Sequence, residues 1–297
     1  MNSLLVNRIQ KQMPEFSKGQ KLIAKYIEEH YDKVAFMTAS KLGATVGVSE
    51  STVVRFATEI GYEGYPELQQ AMQEMIRSRL TSVQRMEVTA NRIGNNDVLD
   101  SVFNQDMDVI RRTMEETSHK AFYSAVDAIV AARKIYIIGA RSSLALASFL
   151  SYYFNQIFEG VCLVQATSEE EIFEQMIRVD ESDVVIGISF PRYSRKAVKA
   201  MNFAHKRGAT VIAITDSTLS PLAEPADNLL LARSDMASIV DSLVAPLSLI
   251  NALIVTTTLK KSKDVANLFQ SLENIWDEYG VYEKVDGSSE SNETLTI

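Results

Sequence analysis

Apolar residues recur at helical spacing through the first 80 residues of the chain. Ser17 followed three residues later by Gln20 has the spacing of a capping box. Thr38 and Ser49 are residue types that commonly cap helix N-termini. The pattern predicts an all-α domain over residues 1–80. Its predicted helices run from residue 17 to about 30, from 39 to about 45, from 50 to about 60 and from 66 to about 79.

From residue 121 the pattern changes to short apolar runs that alternate with amphipathic segments. The predicted strands are Ile135–Ile138, Val161–Val164, Val184–Ile188, Val211–Ile214 and Leu229–Leu231. The predicted helices between them span residues 142–158, 169–179 and 194–207. Buried strands joined by crossover helices form a parallel sheet that is covered on both faces. We therefore expect two domains, an all-α helix-turn-helix domain and an α/β domain with a five-stranded parallel sheet flanked by helices.

The polar segment 81–96 separates these two patterns and is predicted to be a linker. The second domain is expected to span residues 97–280, and it begins with a helix that Asp97 caps and that ends near Thr117. A candidate packing stripe on that helix consists of Val98, Val102, Met107, Ile110 and Met114.

Three further segments carry local signals. Ser220-Pro221 has the pattern of an N-cap followed by proline at the first helical position. The apolar segment Ile239–Leu259 is predicted to be a buried helix, in which Pro246 either introduces a kink or marks the true start. Residues 281–297 are acidic and rich in serine, and a disordered tail is expected there.

Composition limits the classes of protein that need to be considered. The chain of 297 residues has no apolar run long enough for a membrane span and no secretory signal at its N-terminus, so a cytoplasmic location is expected. Cys162 is the single cysteine, which excludes an internal disulfide. The net charge of −8 divides into +2 over residues 1–85 and −10 over the remainder. Only the first segment is suited to a polyanion, and its charge alone does not indicate DNA binding.

The third predicted helix is the candidate DNA-binding element. Its apolar stripe consists of Val53, Phe56, Ala57 and Ile60. The candidate DNA contacts, all near its N-terminus, are Ser49, Glu50, Ser51, Thr52 and Arg55. In a helix-turn-helix the second helix enters the major groove through its N-terminal residues, and arginine reads guanine or a phosphate. The alternative is a plain three-helix bundle with a solvated face.

Two strand-to-helix turns carry the candidate ligand site. The first contributes Arg141, Ser142 and Ser143, and the second contributes Ser189, Arg192, Ser194 and Arg195. Turns at the carboxyl ends of parallel strands are where α/β proteins bind ligands, and helix N-termini there favour anions. A small anionic metabolite is therefore the predicted effector. Two alternatives stay open: the serines are N-caps only, or the arginines pair with acidic residues across a subunit interface.

Neither a catalytic residue, a metal site nor a cofactor is predicted. Glu169, Glu170 and Glu171 follow Ser168 and fit the first turn of a helix, where the helix dipole favours carboxylates. The three histidines lie apart in the sequence, and no set of His, Cys and Asp has metal-ligand spacing. Gly139 lacks the glycine spacing of a dinucleotide site.

Several motifs taken together resemble a known family. The segment Ala39–Tyr62, followed by Gly64-Tyr65, is similar to the helix-turn-helix of RpiR-type (MurR/RpiR) bacterial regulators. The motifs that resemble a sugar isomerase (SIS) domain are Ile138-Gly-Ala-Arg-Ser-Ser143, Ile188-Ser189 through Ser194, Ala213-Ile-Thr-Asp-Ser217 and Ser220-Pro-Leu222. The resemblance covers nearly the whole chain apart from the linker and the tail.

This resemblance implies a transcription factor that binds double-stranded DNA as a homodimer or homotetramer. A palindromic operator is expected, because a single helix-turn-helix with so small a positive charge should bind weakly and two linked copies read paired half-sites. The resemblance also implies that the SIS domain senses a sugar phosphate or a related anionic carbohydrate metabolite and controls genes of carbohydrate metabolism. The competing function is a sugar-phosphate isomerase with an accessory helical domain. No membrane partner is expected.

The chain departs from the usual SIS sequence at both turns. The second turn commonly has the pattern Ser-x-Ser-Gly-x-Thr, whereas here Pro191 replaces a hydroxyl residue and Arg192 replaces the glycine. At the first turn, Arg141 stands where many members have glycine. The chain has therefore added two cations to a cradle that is otherwise built from neutral hydroxyls.

Overall fold

The computed structural model describes residues 4–77, 80–166 and 168–283. Within these residues, eight helices precede the first strand. They are α1 (Leu4–Gln12), α2 (Lys18–Val34), α3 (Ala39–Val46), α4 (Glu50–Glu59), α5 (Tyr65–Arg77), α6 (Ser82–Ile93), α7 (Val98–Glu116) and α8 (His119–Ala131). The α/β part follows. It consists of β1 (Lys134–Gly139), α9 (Ser143–Phe154), β2 (Val161–Val164), α10 (Glu170–Gln175), β3 (Asp183–Ile188), α11 (Arg195–Lys206), β4 (Thr210–Thr215), β5 (Asn228–Leu231), α12 (Val244–Lys260) and α13 (Ser262–Glu278).

Helices α1 to α5 enclose a separate apolar core. The predicted caps are confirmed: Ser17 and Gln20 form a capping box at α2, and the hydroxyls of Thr38 and Ser49 accept the N3 amides of α3 and α4. Helix α1 was not predicted from the sequence. Tyr65 lies in the core and its hydroxyl donates to Met37 O at 2.8 Å, and burial raises the pKa of Tyr65 to about 12.

The five described strands form one parallel sheet in the order β2-β1-β3-β4-β5. One face packs against α8, α9 and α12, and the other packs against α10 and α11. The expected fold class is therefore confirmed. Strand order reverses between β1 and β3, and that switch point is where ligands bind in open α/β sheets.

The segment 81–96, predicted to be a linker, contains the helix α6. Thr81 and Gln84 form a capping box at the start of α6. This Thr-x-x-Gln spacing is visible in the sequence and is typical of a helix N-terminus. The buried residues of α6 are polar, Arg85 and Thr89, so the segment lacks the apolar stripe that predicts a packed helix. The placement of the domain boundaries at residues 80 and 97 stays a prediction.

Two other expectations are corrected. Ser220-Pro221 starts no helix, because the Ser220 hydroxyl instead bonds Thr215 Oγ1 at 2.8 Å and accepts the Leu222 amide, which holds a turn. On α7 most of the expected packing stripe is exposed, including Met107 and Met114, while Val109 and Thr113 are buried.

The long apolar helix α12 begins at Val244 with Pro246 in its first turn, so the proline marks the true start. Residues 239–243 lie in the loop before it. The tail expected at 281–297 falls outside the described residues from position 284 onward.

Candidate functional site

Helices α3 and α4 form the candidate DNA-binding pair. The turn between them is tight, since Gly47 has φ of +77° and a Cβ added at Gly43 would lie 2.8 Å from Val48 O. The predicted apolar stripe of α4 is confirmed, because its members are at most 1% exposed: Val53, Phe56, Ala57 and Ile60. The pair therefore fixes α4 against the N-terminal core and leaves its other face toward solvent.

The five predicted DNA contacts lie together on that outer face. Ser49, Glu50, Ser51 and Arg55 are exposed, and Thr52 is half-buried. The Ser49 hydroxyl lies 2.9 Å from Ser51 Oγ and 2.8 Å from Thr52 Oγ1, so these short side chains form a hydrogen-bonded cluster at the start of α4.

The two predicted ligand turns follow β1 and β3, which are neighbours at the switch point of the sheet. We call residues 139–143 the first turn and residues 189–195 the second turn. Within the second turn, the Ser194 amide donates to Ser189 Oγ at 3.0 Å. Tyr193 Oη donates to Asp216 Oδ1 at 2.9 Å, which ties this turn to the end of β4.

Both turns place an arginine in the left-handed region of the backbone. Arg141 has φ of +56° and Arg192 has φ of +68°, and they are the two non-glycine residues with positive φ among the described residues. This conformation costs a non-glycine residue on the order of 1–3 kcal/mol when the surrounding structure imposes it. It agrees with the resemblance to SIS sequences, which implies that glycine is common at these two positions. The two arginines are therefore candidates for a functional role that offsets this conformational cost.

A cleft of about 380 Å³ opens between the two turns and the loop that leads into α12. Six of the seven predicted ligand residues line it, namely Arg141, Ser142, Ser143, Ser189, Arg192 and Ser194. Ser143 and Ser189 are buried, at 4% and 3% exposed. Arg195 is exposed at the start of α11 and is not among the residues that line the cleft.

The predicted serines differ in their local roles. Ser194 caps α11, because its hydroxyl accepts the Ala197 amide at 3.4 Å. Ser142 makes no capping hydrogen bond with its side chain at the start of α9. The capping interpretation therefore describes Ser194 and does not account for Ser142.

Sequence reasoning missed two charged residues of the cleft. Arg85 reaches it from α6, and Asp241 reaches it from the loop before α12. Their Nη2 and Oδ1 atoms form an ion pair at 2.8 Å. The two residues are 156 positions apart and have no local motif in common, so no spacing rule could have joined them.

The glutamates at the start of α10 have a structural role. The Ser168 hydroxyl accepts the Glu171 amide at 3.3 Å. Hydrogen bonds from backbone N–H groups, with a further one from Ser168, hold the pKa of Glu170 below its usual range, so this carboxyl is poorly suited to act as a base near neutral pH. No group of three or more His, Cys, Asp or Glu side chains is arranged to hold a metal within the part of the chain that the structure describes.

A helix-turn-helix domain ahead of an α/β domain with a cleft at its switch point defines a two-domain transcriptional regulator. Comparison with known families agrees: residues 3–79 match the helix-turn-helix domain of the rpiR family, and residues 128–256 match the SIS domain. The chain belongs to the RpiR family of transcriptional regulators.

Relatives and solved structures support this assignment. A chain described as an uncharacterised HTH-type transcriptional regulator of Caldanaerobacter subterraneus is 25% identical over 90% of this chain and 95% of its own length. Another of Haemophilus influenzae is 27% identical over 76% and 78%. The sugar isomerase domain of an RpiR transcription factor from Sphaerobacter thermophilus is 27% identical, with a TM-score of 0.56, over 59% of this chain and 97% of that one.

The Vibrio vulnificus NanR protein, solved in complex with ManNAc-6P, shares the fold over nearly the whole chain. It is 22% identical, with a TM-score of 0.57, and the match covers 93% of this chain and 98% of NanR. None of the helices within the described residues has the length and hydropathy of a membrane-spanning segment.

Proposed function

We propose that this regulator binds a sugar phosphate or a related anionic carbohydrate derivative in the cleft between the two turns, and that binding changes its affinity for operator DNA. The observation that carries the proposal is the pair of strained arginines, Arg141 and Arg192, that line one cleft at the switch point. An effector must bind one conformational state better than another to change DNA affinity at all.

The chemistry of the cleft suits an anion with hydroxyl groups. Its lining has the guanidinium groups of Arg141 and Arg192 for bidentate, charge-assisted hydrogen bonds, and serine hydroxyls for neutral ones. The N-termini of α9 and α11 lie at the same edge of the sheet and add their N–H groups and positive dipole ends. The cleft's volume, about 380 Å³, lies within the range of about 300–1,000 Å³ that is typical of small-molecule sites.

ManNAc-6P bound to NanR makes a phosphosugar the first class of effector to test. We would screen phosphosugars and sugar acids by thermal shift, and then add each stabilising compound to a gel shift against DNA upstream of the protein's own gene. A phosphosugar that both stabilises the protein and shifts DNA affinity is expected. If none of the phosphosugars and none of the sugar acids stabilises the protein, the proposed effector class is contradicted.

The competing isomerase requires a base that can reach the substrate carbon, within about 3 Å or through one water. Among the described residues that line the cleft, Asp241 is the single residue with a carboxylate, and none is a histidine. Asp241 is already paired with Arg85, so it is engaged in structure. We therefore propose that the domain binds its ligand without turning it over. Conversion of an aldose phosphate to the ketose by the purified protein would contradict this.

DNA contact is proposed for Ser49, Glu50, Ser51, Thr52 and Arg55. Arg55→Ala is expected to lower operator affinity by about 5- to 150-fold, equivalent to about 1–3 kcal/mol, because a bidentate arginine–guanine pair is lost. Fluorescence anisotropy with a labelled operator measures the change.

The matched control for this prediction is Lys41→Ala on the neighbouring helix α3. Lys41 is exposed and carries the same charge, but it lies outside the N-terminal turns of α4. Its loss should produce only a small change that shrinks further in higher salt. Operator affinity unaltered in a folded Arg55→Ala variant would remove Arg55 from the set of reading residues.

Self-association is proposed through the face formed by α7, α8 and α12. An apolar groove there is lined mainly by nonpolar side chains, among them Ile110, Met114, Tyr123 and Leu249. Ile110, Met114 and Tyr123 are exposed in the single chain, and exposed apolar surface of this kind marks interaction sites. A symmetric dimer would pair two such faces and present two α4 helices to a palindromic operator.

Met114→Glu is expected to convert the dimer to a monomer at micromolar concentration and to lower operator affinity at least tenfold, because two linked half-site contacts become one. Light scattering and anisotropy measure the two effects. Ile177→Glu is the control, since Ile177 is similarly exposed but follows α10 on the opposite face of the sheet. Wild-type protein that scatters as a monomer and binds DNA as a monomer would contradict the proposed assembly.

A further inference from the structure

Helix α6 connects the helix-turn-helix domain to the α/β domain and is held by polar contacts. It lies against the loop of residues 232–243, which we call the docking loop. Thr89 Oγ1 donates to Ala237 O at 3.1 Å, and Arg92 donates to Met236 O and Ala237 O at 3.0 and 3.1 Å. Met236 of the same loop packs against the core of the helix-turn-helix domain. The docking loop therefore contacts both the connecting helix and the DNA-binding domain.

Arg85 is the most buried contact between α6 and this loop. Its side chain is 1% exposed, with Nη1 donating to Ile239 O at 3.2 Å and Nη2 donating to Asp241 Oδ1 at 2.8 Å. Its Nε atom is buried and has no hydrogen-bond partner among the described residues. A buried donor on a charged group without a partner is costly, and a bound ion or ligand is one way to satisfy it.

Arg85 and Asp241 also line the cleft, beside Arg141 and Arg192 of the two turns. An anion in that cleft would be attracted by Arg85 and repelled by the Asp241 carboxylate. An anionic ligand that accepts a hydrogen bond from Arg85 would satisfy the unpartnered donor and offset the Asp241 charge.

We propose that Arg85, a residue of the connecting helix, is a ligand-binding residue of the cleft and donates to the anionic group of the effector. The proposal rests on the proposed function of the cleft as an anion site. A ligand bound in the cleft would then connect α6 to the α/β domain through its hydrogen bond with Arg85. Ligand binding would therefore stabilise the position of the helix that leads to the DNA-binding domain. By linkage, the factor by which the ligand favours the docked position of α6 equals the factor by which docking of α6 raises ligand affinity.

Two variants isolate Arg85 without leaving the half-buried carboxylate of Asp241 unpaired. Asp241→Asn removes the negative charge and keeps Arg85, and Arg85→Gln/Asp241→Asn removes both charges. The difference in anion affinity between these two variants reports the contribution of Arg85 alone. Arg85→Gln by itself would also include the free-energy cost of leaving Asp241 without its ion-pair partner. Arg92→Gln is the matched control, because it removes an arginine of α6 that bonds the docking loop but does not line the cleft.

Binding is measured by calorimetry on the full chain with two probes, inorganic phosphate and ManNAc-6P. Asp241→Asn should bind the anion about three- to tenfold more tightly than wild type, because a repelling charge is gone. Arg85→Gln/Asp241→Asn should bind at least tenfold more weakly than Asp241→Asn, because a charge-assisted hydrogen bond is lost. Arg92→Gln should bind within about twofold of wild type.

Hydrogen exchange over residues 82–93 gives a second readout, which a merely structural role would not move. Phosphate or ManNAc-6P should slow exchange in α6 for wild type and for Asp241→Asn, and should leave it unchanged for Arg85→Gln/Asp241→Asn. The helix amides report whether the ligand itself fastens α6.

Equal affinity in Asp241→Asn and the double variant would overturn the role of Arg85. If the double variant does not fold, Asp241→Asn decides alone, and binding no tighter than wild type would overturn the proposal. A wild-type protein that binds neither probe at millimolar concentration, nor any other anionic carbohydrate, would instead contradict the proposed function of the cleft and this inference with it. If Arg141→Gly loses anion binding while the double variant keeps it in full, the cleft remains the anion site but Arg85 is not one of its ligand-binding residues.

Discussion

Replacing Arg141 and Arg192 together by glycine is expected to lower effector affinity by about 100-fold and to raise the stability of the protein. Each arginine offers a charge-assisted hydrogen bond worth about 1.5–3 kcal/mol, so the loss of two corresponds to at least two orders of magnitude in affinity. Both line the cleft between the two turns. Calorimetric titration with a confirmed phosphosugar measures this loss.

The stability change has the opposite sign because both arginines hold positive φ angles, +56° and +68°. Glycine adopts this region without the steric cost of a Cβ, although it loses more backbone entropy on folding. The released strain, on the order of 1–3 kcal/mol per site, exceeds that entropy loss, so we expect a net gain of about 1 kcal/mol for each substitution. Chemical denaturation with a constant m-value measures the gain.

A variant that is more stable but binds less tightly separates ligand contact from a structural role. If the arginines instead bridge subunits, the double variant would lower oligomer stability and leave the affinity of each folded subunit unchanged. Arg195→Ala is the control, because Arg195 belongs to the second turn but does not line the cleft. Its affinity for the effector should stay within about twofold of wild type.

Gly139→Ala is the second change with a large expected effect. A Cβ at this position would lie against Ser143 O and 2.9 Å from the Cβ of Ala147, so α9 would have to move away from β1. Overpacking of a buried contact costs about 1–3 kcal/mol, and here the opposing atom is backbone, which favours the upper end. The shift would also displace the first turn, so we expect effector affinity to fall more than tenfold.

Thermal denaturation and calorimetric titration measure the two effects of Gly139→Ala. Gly64→Ala is the matched control, because the nearest heavy atom to its added Cβ is Pro66 Cδ at an ordinary 3.7 Å. The control should change stability by less than about 1 kcal/mol and leave effector binding intact. Wild-type stability in Gly139→Ala would mean that the close approach of α9 to β1 does not shape the first turn.

The sequence predicted the elements whose signals are local. Buried strands are visible as apolar runs in the sequence. The caps Ser17, Thr38 and Ser49 accept amides only three residues away, so a few consecutive residues are enough to predict where these helices begin. The two turns could be placed beside each other because parallel strands end at one edge of a sheet. The positive φ angles of Arg141 and Arg192 were not predicted, because the resemblance to SIS sequences was used only to conclude that two cations had been added.

The elements that were missed depend on tertiary contacts. Helix α6 buries arginine and threonine in place of an apolar stripe, so its packing becomes visible only with the docking loop, roughly 150 residues away in the chain. The exposed methionines of α7 satisfy helical periodicity, but periodicity does not say whether the partner belongs to the same chain. Ser220-Pro221 has the local sequence pattern of a helix start, but the Ser220 hydroxyl instead forms a hydrogen bond with the hydroxyl of Thr215.

The most direct test of the central claim is the response of operator affinity to the effector. Anisotropy of a labelled palindromic operator would be recorded at increasing phosphosugar concentration, for wild type and for the Arg141→Gly/Arg192→Gly variant. We predict that the effector changes wild-type operator affinity at least fivefold, within the usual range of coupling free energies. We also predict that the variant matches wild type without effector and needs about 100-fold more effector for the same change. Equal effector sensitivity in the two proteins would contradict an anionic effector held between the two turns.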